Sequence, residues 1–247
     1  MTHLLDLVLE AHGGEERWRK VTSVTAGMLI GGPMWSLHQV PGVLGSHEVT
    51  VDFGTQRTVL RDYTEPGLRG IFTPEQVSVV DEDGRTVRER RDPLASFDGF
   101  RTDTPWDTLH ALYFIGYATW NYLTAPYLLT LPGVQVRDLP PEQPALDLRP
   151  GLSGGWRRLG VTFPDDITVH TRNQTFYYDE QGLQRRMDYA PRVTGGIPAV
   201  HMIDGHQEFS GLVFPTRRRV FVPAPEGRGL RADPFITLDY ADIRVGA

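Results

Sequence analysis

The side chains best able to carry out chemistry are grouped on one side of a single predicted helix. Asp107, His110 and Tyr113 recur every three residues, so they project from neighbouring turns. Histidine titrates near neutral pH, and beside a carboxylate and a phenol it could donate and accept protons in a buried cavity. We therefore predict His110, Tyr113 and Asp107 as candidate catalytic residues. The alternative is a core histidine bonded to a strand carbonyl or a tyrosine.

The same side of the helix continues with side chains that are apolar in body and polar at the tip, namely Tyr117, Trp120 and Asn121. Such a row either forms hydrogen bonds internally or faces a bound molecule. Residues from the predicted strands would complete the lining of a cavity, and we select Trp35, Tyr177, Met187, Tyr189 and His201. Together these residues form the predicted ligand-binding set.

Adjacent arginines recur in the later strands, as Arg157-Arg158, Arg185-Arg186 and Arg217-Arg218-Arg219. Because side chains alternate along a strand, neighbouring members face opposite sides of the sheet. The arginines either pair with acids such as Asp188 on the solvent face, or point inward to bind a ligand carboxylate.

We predict neither a metal nor an organic cofactor. His201, Asp204 and His206 are the only local cluster of metal-ligand types, and their spacing matches no known ligand set. We interpret Asp204-Gly205 instead as a hairpin turn. No glycine-rich loop precedes a helix in the way that nucleotide phosphates require.

The element that must position the catalytic row is a helix over residues 104–124, which contains no Lys, Arg or Glu. Thr104 is a good N-cap, Pro105 suits the first turn, and Pro126 ends the helix. A helix that is apolar on every side is buried, so we expect the sheet to surround it. Its polar residues disfavour a membrane span.

Short β runs with turn signals between them precede and follow this helix, over residues 22–92 and 156–245. We expect two antiparallel meanders in a single curved sheet, a half-barrel or open barrel wrapped around the helix, with a cavity between sheet and helix. The predicted strands are 23–30, 34–40, 46–53, 56–62, 70–73, 77–81, 85–91, 156–163, 167–172, 175–179, 183–189, 199–203, 207–212, 217–222 and 235–245.

Two further segments complete a predicted single domain over residues 1–247. Short helices should occupy residues 1–20, where Gly13-Gly14 separates two amphipathic stretches. Residues 131–155 contain five prolines, Pro132, Pro140, Pro141, Pro144 and Pro150, so we predict a long loop without regular structure. A loop of this length is either a lid or an insertion, and we favour a lid over the mouth of the cavity.

Composition narrows the range of partners. The net charge is −6, from 31 acidic and 25 basic residues, so we expect no nucleic-acid partner and no anionic membrane surface. Cysteine is absent, which excludes thiol chemistry. The first residues lack the basic and apolar stretches of a secretion signal, so we expect a cytoplasmic protein.

One motif resembles a known family. Ala11-His12-Gly13-Gly14, then Glu16, Trp18, Val21 and Ser23 leading into a strand, is similar to the N-terminal pattern of the outer-membrane lipoprotein carrier superfamily. The resemblance implies an unclosed antiparallel barrel with helices in its mouth, and a family whose members bind acyl chains in an apolar cavity. Unlike the carriers, this sequence shows no signal peptide, and its 104–124 helix matches none of their motifs.

Two functions follow from these patterns. The first is a cofactor-independent enzyme that isomerises, cyclises or hydrolyses an apolar small molecule of polyketide or lipid type. The second is a protein that binds or carries such a molecule without catalysis. A fold alone does not separate them. They differ in whether the polar tips of the helix row face an empty cavity or bond to one another.

Overall fold

The computed structural model describes residues 4–140, 155–224 and 230–247. Within these ranges the chain is mainly β, as predicted, and thirteen strands form one antiparallel sheet. The strands are β1 Ser23–Gly31, β2 Gly45–Asp52, β3 Arg57–Arg61, β4 Arg69–Phe72, β5 Gln76–Val80, β6 Thr86–Arg91, β7 Gln135–Leu139, β8 Arg157–Thr162, β9 Asn173–Tyr178, β10 Gln184–Tyr189, β11 Ala199–Phe209, β12 Leu212–Phe221 and β13 Ile236–Gly246.

The sheet is open and its two halves meet through the first and last strands. Its order is β6-β5-β4-β3-β2-β1-β13-β12-β11-β10-β9-β8-β7, so each half is a meander. The halves join where β1 pairs with β13, with Met28 opposite Tyr240. The outer strands β6 and β7 do not pair with each other.

Four α-helices and four short 3₁₀ turns accompany the sheet in the described part of the chain. The helices are α1 Leu4–Ala11, α2 Glu15–Trp18, α3 Met34–Leu37 and α4 Thr108–Thr124, and the 3₁₀ turns are Pro41–Val43, Ala95–Phe97, Tyr127–Thr130 and Arg192–Thr194. No helix in these ranges has the length and apolarity needed to cross a membrane.

Helix α4 has 17 residues and begins later than the sequence predicts. Asp107, rather than Thr104, is the N-cap, and its carboxylate accepts hydrogen bonds from the backbone N–H groups of Leu109 and His110 at 3.0 and 2.9 Å. Asp107 therefore satisfies two of the free donors at the helix start. The helix ends at Thr124, just before Ala125 and Pro126, as proline requires.

Every residue of α4 from Leu109 to Thr124 is buried. Strands of the first half bond to it directly, because Thr58 donates to the carbonyl of Gly116 at 2.9 Å and Trp120 donates to the carbonyl of Asp52 at 2.7 Å. The second half reaches it through Arg218, which donates to the carbonyl of Tyr122 at 3.2 Å. Both halves of the sheet thus contact this one helix.

Two predicted strands are wrong. Residues 34–40 include α3, because Met34 and Trp35 are both buried and a strand cannot bury consecutive side chains on one face. Residues 167–172 pair with no strand. The backbone of Thr168 is instead bonded to the Gln56 side chain, which donates to its carbonyl at 2.6 Å and accepts from its N–H at 2.8 Å.

Two further local predictions are also wrong. The predicted turn at Asp204-Gly205 lies inside β11, and the chain reverses at Ser210-Gly211, where both residues have positive φ. The predicted loop 131–155 contains strand β7, whose residues lie between Gly133 and Pro140 and pair with β8. Residues 141–154, on which the lid prediction depends, lie outside the described residues.

Gly116 allows α4 to approach β4 closely. A Cβ atom at this position would lie 2.3 Å from Cβ and 2.4 Å from Cγ of Phe72. These distances are far shorter than carbon contacts in proteins. Phe72 is itself fully buried, so it has no free space to move into.

We predict that Gly116→Ala destabilises the protein. Alanine is the better helix former by about 1 kcal/mol, but overpacking costs about 1–3 kcal/mol and the clash here is severe. Urea denaturation should show a net loss of about 1–2 kcal/mol in the free energy of unfolding. Gly42→Ala is the control, since a Cβ there meets nothing within 4 Å. A Gly116→Ala variant more stable than the wild type would contradict this account of the packing.

Candidate ligand-binding site

A pocket of about 290 Å³ lies between α4 and two loops. The helix contributes Tyr113 and Tyr117. The segment 164–172 between β8 and β9, and the 3₁₀ turn Arg192–Thr194, form the facing walls. Apolar side chains supply much of the lining, namely Leu94, Pro164, Ile167, Val169 and Val193. The size and composition suit a small, mostly apolar molecule.

Charged side chains occur where this pocket meets solvent. Arg172 pairs with Asp165 at 3.1 Å, and Arg192 pairs with Asp98. All four side chains are more than half exposed, so these ion pairs contribute little to stability. The lining therefore combines these exposed charged groups with apolar side chains and with the polar Thr168, His170 and Thr171.

A chain of hydrogen bonds between aromatic side chains begins in the wall of the pocket, which Tyr117 and His170 line, and continues into the interior. His170 lies between two phenols, with its Nδ1 3.1 Å from the hydroxyl of Tyr117 and its Nε2 2.7 Å from that of Tyr122. The hydroxyl of Tyr122 is 3.3 Å from that of Tyr189, which is 3.2 Å from Nδ1 of His201. We call these five residues the Tyr-His chain. The rings of His170 and Tyr189 also stack, with centroids 4.0 Å apart.

Burial keeps the Tyr-His chain uncharged at neutral pH. It lowers the pKa of His170 to about 3, and the positive charge of Arg218 adds to the effect. The pKa of His201 is lowered well below its usual value for the same reasons. Burial raises the pKa of Tyr117 and of Tyr122 well above the usual value. A neutral histidine donates at one nitrogen and accepts at the other, which matches the position of His170 between two hydroxyls.

Arg218 brings a charge into this interior. Its side chain is 1% exposed, its guanidinium carbon lies 4.4 Å from the ring centroid of Tyr122, and burial lowers its pKa. Among the described residues no carboxylate forms an ion pair with it, and its Nε and Nη1 atoms are buried without a hydrogen-bond partner. The contact with the Tyr122 ring is a cation–π interaction that offsets part of the cost of burial.

Only one of the three predicted catalytic residues lines the pocket. Tyr113 does so, and burial raises its pKa to about 12. Asp107 is the N-cap of α4, and Nδ1 of His110 completes the cap, either accepting from the Asp107 N–H at 3.1 Å or donating to its carboxylate at 2.8 Å. His110 packs against Phe97 and Phe100, with ring centroids 4.8 and 5.1 Å away, and faces none of the cavities described here.

The Asp107 carboxylate is part of a structural ion pair as well. Partial burial opposes its ionisation, but hydrogen bonds from His110 and Arg90 outweigh that effect and lower its pKa well below the usual value. A carboxylate bound in this way is a poor proton acceptor. The geometry therefore gives Asp107 and His110 a role at the helix start, while their predicted catalytic role has no structural support.

The structure brings together some of the predicted ligand-binding residues and separates others. Tyr117, Tyr189 and His201 belong to the Tyr-His chain, and Tyr117 also lines the pocket. Asn121 and Met187 line a smaller cavity of about 10 Å³. Asn121 donates to the carbonyls of Tyr117 and Thr168 at 2.6 and 3.1 Å.

The remaining three predicted residues do not line the pocket. Trp120 is bonded to β2, and Trp35 donates to the carbonyl of Gly31 at 3.2 Å. Tyr177 lies on the other face of the sheet, because it is opposite Arg186 while its neighbour Phe176 lines the small inner cavity. The prediction that Tyr177 faces the cavity is therefore wrong, and strand alternation explains why.

The sequence does not reveal that His170 and Tyr122 belong to the site, and it does not decide whether Arg218 faces inward or outward. His170 lies in the predicted strand 167–172, which does not form, and the pattern places Tyr122 in the helix without indicating a partner for its hydroxyl. Alternation did indicate that one arginine of the Arg217-Arg218-Arg219 run faces inward, and the structure identifies it as Arg218. Arg219 faces outward and pairs with Asp239 at 2.8 Å.

A second depression, about 500 Å³, lies on the outer face of the sheet, where the charged side chains Arg185, Asp204, Arg217 and Arg219 are accompanied by the apolar side chains Trp156, Met202, Ile203 and Phe221. No residue of α4 lines it. Among the described residues, no three His, Cys, Asp or Glu side chains are placed to hold a metal ion.

The architecture and the position of the pocket define an open β-sheet protein with an interior helix, and comparison with solved structures finds the same fold. The chain is similar to a LolA superfamily protein from Nitrosomonas europaea, with a TM-score of 0.50 and 10% identity, over 99% of this chain and 92% of that one. It is also similar to a DUF1329 family protein from Desulfovibrio piger, with a TM-score of 0.51 and 12% identity, over the same shares of the two chains.

No protein-family model and no curated protein matches the sequence. The structural likeness confirms the resemblance to the lipoprotein carrier superfamily that the N-terminal motif indicates. At these identities the likeness concerns the fold alone.

The buried histidines predict a loss of stability in acid. A histidine whose pKa is lowered by folding stays neutral in the folded state, while the unfolded chain takes up a proton below a pKa of about 6.5. Stability is therefore complete above about pH 6.5 and falls as the pH drops toward 3. Between pH 7.5 and 5.5, each such histidine should cost about 1.4 kcal/mol.

Replacing His170 by Gln removes one of these groups. Urea denaturation across this pH range should show that the acid-induced loss is smaller by about 1.4 kcal/mol in His170→Gln than in the wild type. Tyr117→Phe is the control, because it removes a hydrogen-bond partner of His170 without removing a titrating histidine. Equal pH dependence of His170→Gln and the wild type would show that His170 is not held neutral by burial.

Proposed function

We propose that this protein binds an apolar small molecule without catalysing its conversion, and that the ligand occupies the pocket between α4 and the two facing loops. The observation that carries the proposal is that the polar ends of the side chains in and next to the pocket wall are already hydrogen-bonded within the protein. Tyr117, Tyr122 and Asn121 are bonded to other protein groups, so they support the wall of the pocket and are not poised for reaction.

The electrostatics favour binding over acid–base catalysis. A general base works best with a pKa near the operating pH, whereas burial lowers the pKa of His170 to about 3. The neighbouring tyrosines are shifted in the opposite direction. No group of the Tyr-His chain would therefore exchange a proton readily at neutral pH.

The fold supports the same proposal. A half-barrel that encloses a helix leaves space where the sheet and the helix diverge, and such space suits apolar ligands. This is also what the resemblance to the lipoprotein carrier superfamily implies. We infer a carrier or storage role for such a ligand, with catalysis by a cofactor-independent enzyme as the less supported interpretation.

The test is binding of an uncharged naphthylamine dye whose fluorescence increases in apolar surroundings. The wild type should enhance the fluorescence, and dodecanol should displace the dye. Ile167→Arg places a charge in the pocket wall, where a desolvated charge is costly, and should weaken dye binding by about tenfold or more. Ile167 is partly exposed, so the variant should still fold.

Leu29→Arg is the matched control, because Leu29 is 52% exposed and does not line the pocket. It adds the same charge and should bind the dye like the wild type. No enhancement by the wild type, or equal binding by Ile167→Arg, would refute the proposed pocket.

A further inference from the structure

We propose that the inner face of the sheet contains a binding site for one small anion, such as chloride, held by Arg218 and Gln184. Both side chains line a cavity of about 10 Å³ next to the C-terminal end of α4. Its other walls are formed by Asn121, Tyr122, Ala125, Leu128, Gln174, Phe176 and Met187. The site is separate from the proposed ligand pocket.

The first reason is an uncompensated charge. Arg218 is 1% exposed, and in the described part of the chain no acid pairs with it. Burying a guanidinium without a counter-charge is strongly unfavourable, so buried charges in proteins are paired. The groups around it cannot supply a negative charge, because burial raises the pKa of Tyr122 and raises that of Tyr240 to about 12.

The second reason is a surplus of hydrogen-bond donors. Nε and Nη1 of Arg218 and Nε2 of Gln184 are buried and have no partner. Gln184 is 3% exposed, so solvent does not satisfy it. The other amides around the cavity already donate elsewhere, since Asn121 bonds to two carbonyls and Gln174 donates to the carbonyl of Thr171 at 3.0 Å. Buried donors on two residues that line one cavity, unpartnered among the described residues, call for an acceptor inside it.

The third reason is size. A cavity of about 10 Å³ holds roughly one water molecule or one ion of similar volume. A carboxylate with an attached chain needs several heavy atoms and does not fit. A water molecule would satisfy donors but would leave the charge of Arg218 uncompensated. A monatomic anion satisfies both requirements.

The histidines near Arg218 carry no charge that would add to its own. Burial lowers the pKa of His12 and that of His206 to about 4, and burial also lowers the pKa of His170 and His201. These four histidines are therefore neutral, and Arg218 is the cation that an anion in this cavity would meet.

The experiment measures thermal unfolding of the full chain while chloride replaces gluconate at constant ionic strength. An anion that binds only the folded protein raises the melting temperature, and we expect a rise of about 3 °C or more between zero and about 200 mM chloride. Acetate at the same concentration should leave the melting temperature at the gluconate value, because it exceeds the cavity. No effect of chloride, or an equal effect of acetate, would overturn the proposal.

Two variants separate the site from general salt effects. Arg218→Met keeps the length of the side chain, removes the charge and should abolish the chloride dependence. Arg217→Met is the control, because Arg217 lies next to it in the chain but on the outer face, 3.8 Å from Asp204, and should respond to chloride like the wild type. Chloride dependence that survives in Arg218→Met would exclude this site.

The unaltered protein offers a measurement that does not depend on how the variants fold. Crystals grown with bromide should show an anomalous peak within hydrogen-bond distance of Arg218 and Gln184. Ordered water at that position and bromide peaks only on the surface would refute the anion site.

Discussion

Because α4 is buried, the rest of the structure must supply hydrogen-bond partners for its polar groups. From Leu109 to Thr124 no side chain reaches solvent, so each polar group of the helix needs a partner within the protein. An unsatisfied buried group costs about 1–3 kcal/mol, and a domain has only about 5–15 kcal/mol of stability in total. Several unpaired groups on one helix would therefore unfold it.

The sheet and its loops supply such partners from both sides, although Nε2 of His110 remains buried without one in the described part of the chain. The carbonyl of Asp52 accepts from Trp120, and that of Thr168 accepts from Asn121. Thr168 is in turn fixed by Gln56, which follows β2 in the chain. The loop that forms one wall of the pocket is thus held by residues of the opposite half of the molecule. The same loop bonds to the helix at Thr168 and at His170, and the pocket lies between this loop and α4.

Sequence patterns predicted the strands well where one face is buried and the other is not. Residues 46–53 alternate in this way and correspond to β2, whereas the predicted strand 217–222 covers only the second half of β12. The patterns failed where another contact replaced the strand ladder. Met34 and Trp35 are buried together in α3, and Thr168 bonds to a side chain far away in the sequence. Periodicity describes neighbours along the chain and cannot show such distant partners.

The candidate site is predictable only in part, again because periodicity describes neighbours along the chain. Helical spacing identified the face of α4 that carries Tyr113 and Tyr117, and both line the pocket. It could not show that His170 meets Tyr117 and Tyr122, because that contact joins segments about fifty residues apart. The sequence places the N-cap at Thr104, whereas Asp107 is the N-cap in the structure. His110 bonds to Asp107 as part of this cap, so its position is explained without a catalytic role.

The residues that carry the family resemblance are structural, which explains why they indicate the fold and leave the ligand open. Gly13 has a φ of 108°, and a Cβ there would lie 2.3 Å from the carbonyl oxygen of Gly211. Trp18 is fully buried, and its indole donates to the carbonyl of His12 at 3.0 Å. Arg17 donates to the carbonyl of Gly211 at 2.8 Å and the ring of Trp18 packs on that of Phe214, so α2 docks against the hairpin of β11 and β12. None of these residues lines the pocket. The motif therefore fixes how the N-terminal helices meet the sheet, and it carries no information about the pocket, whose lining lies on other elements.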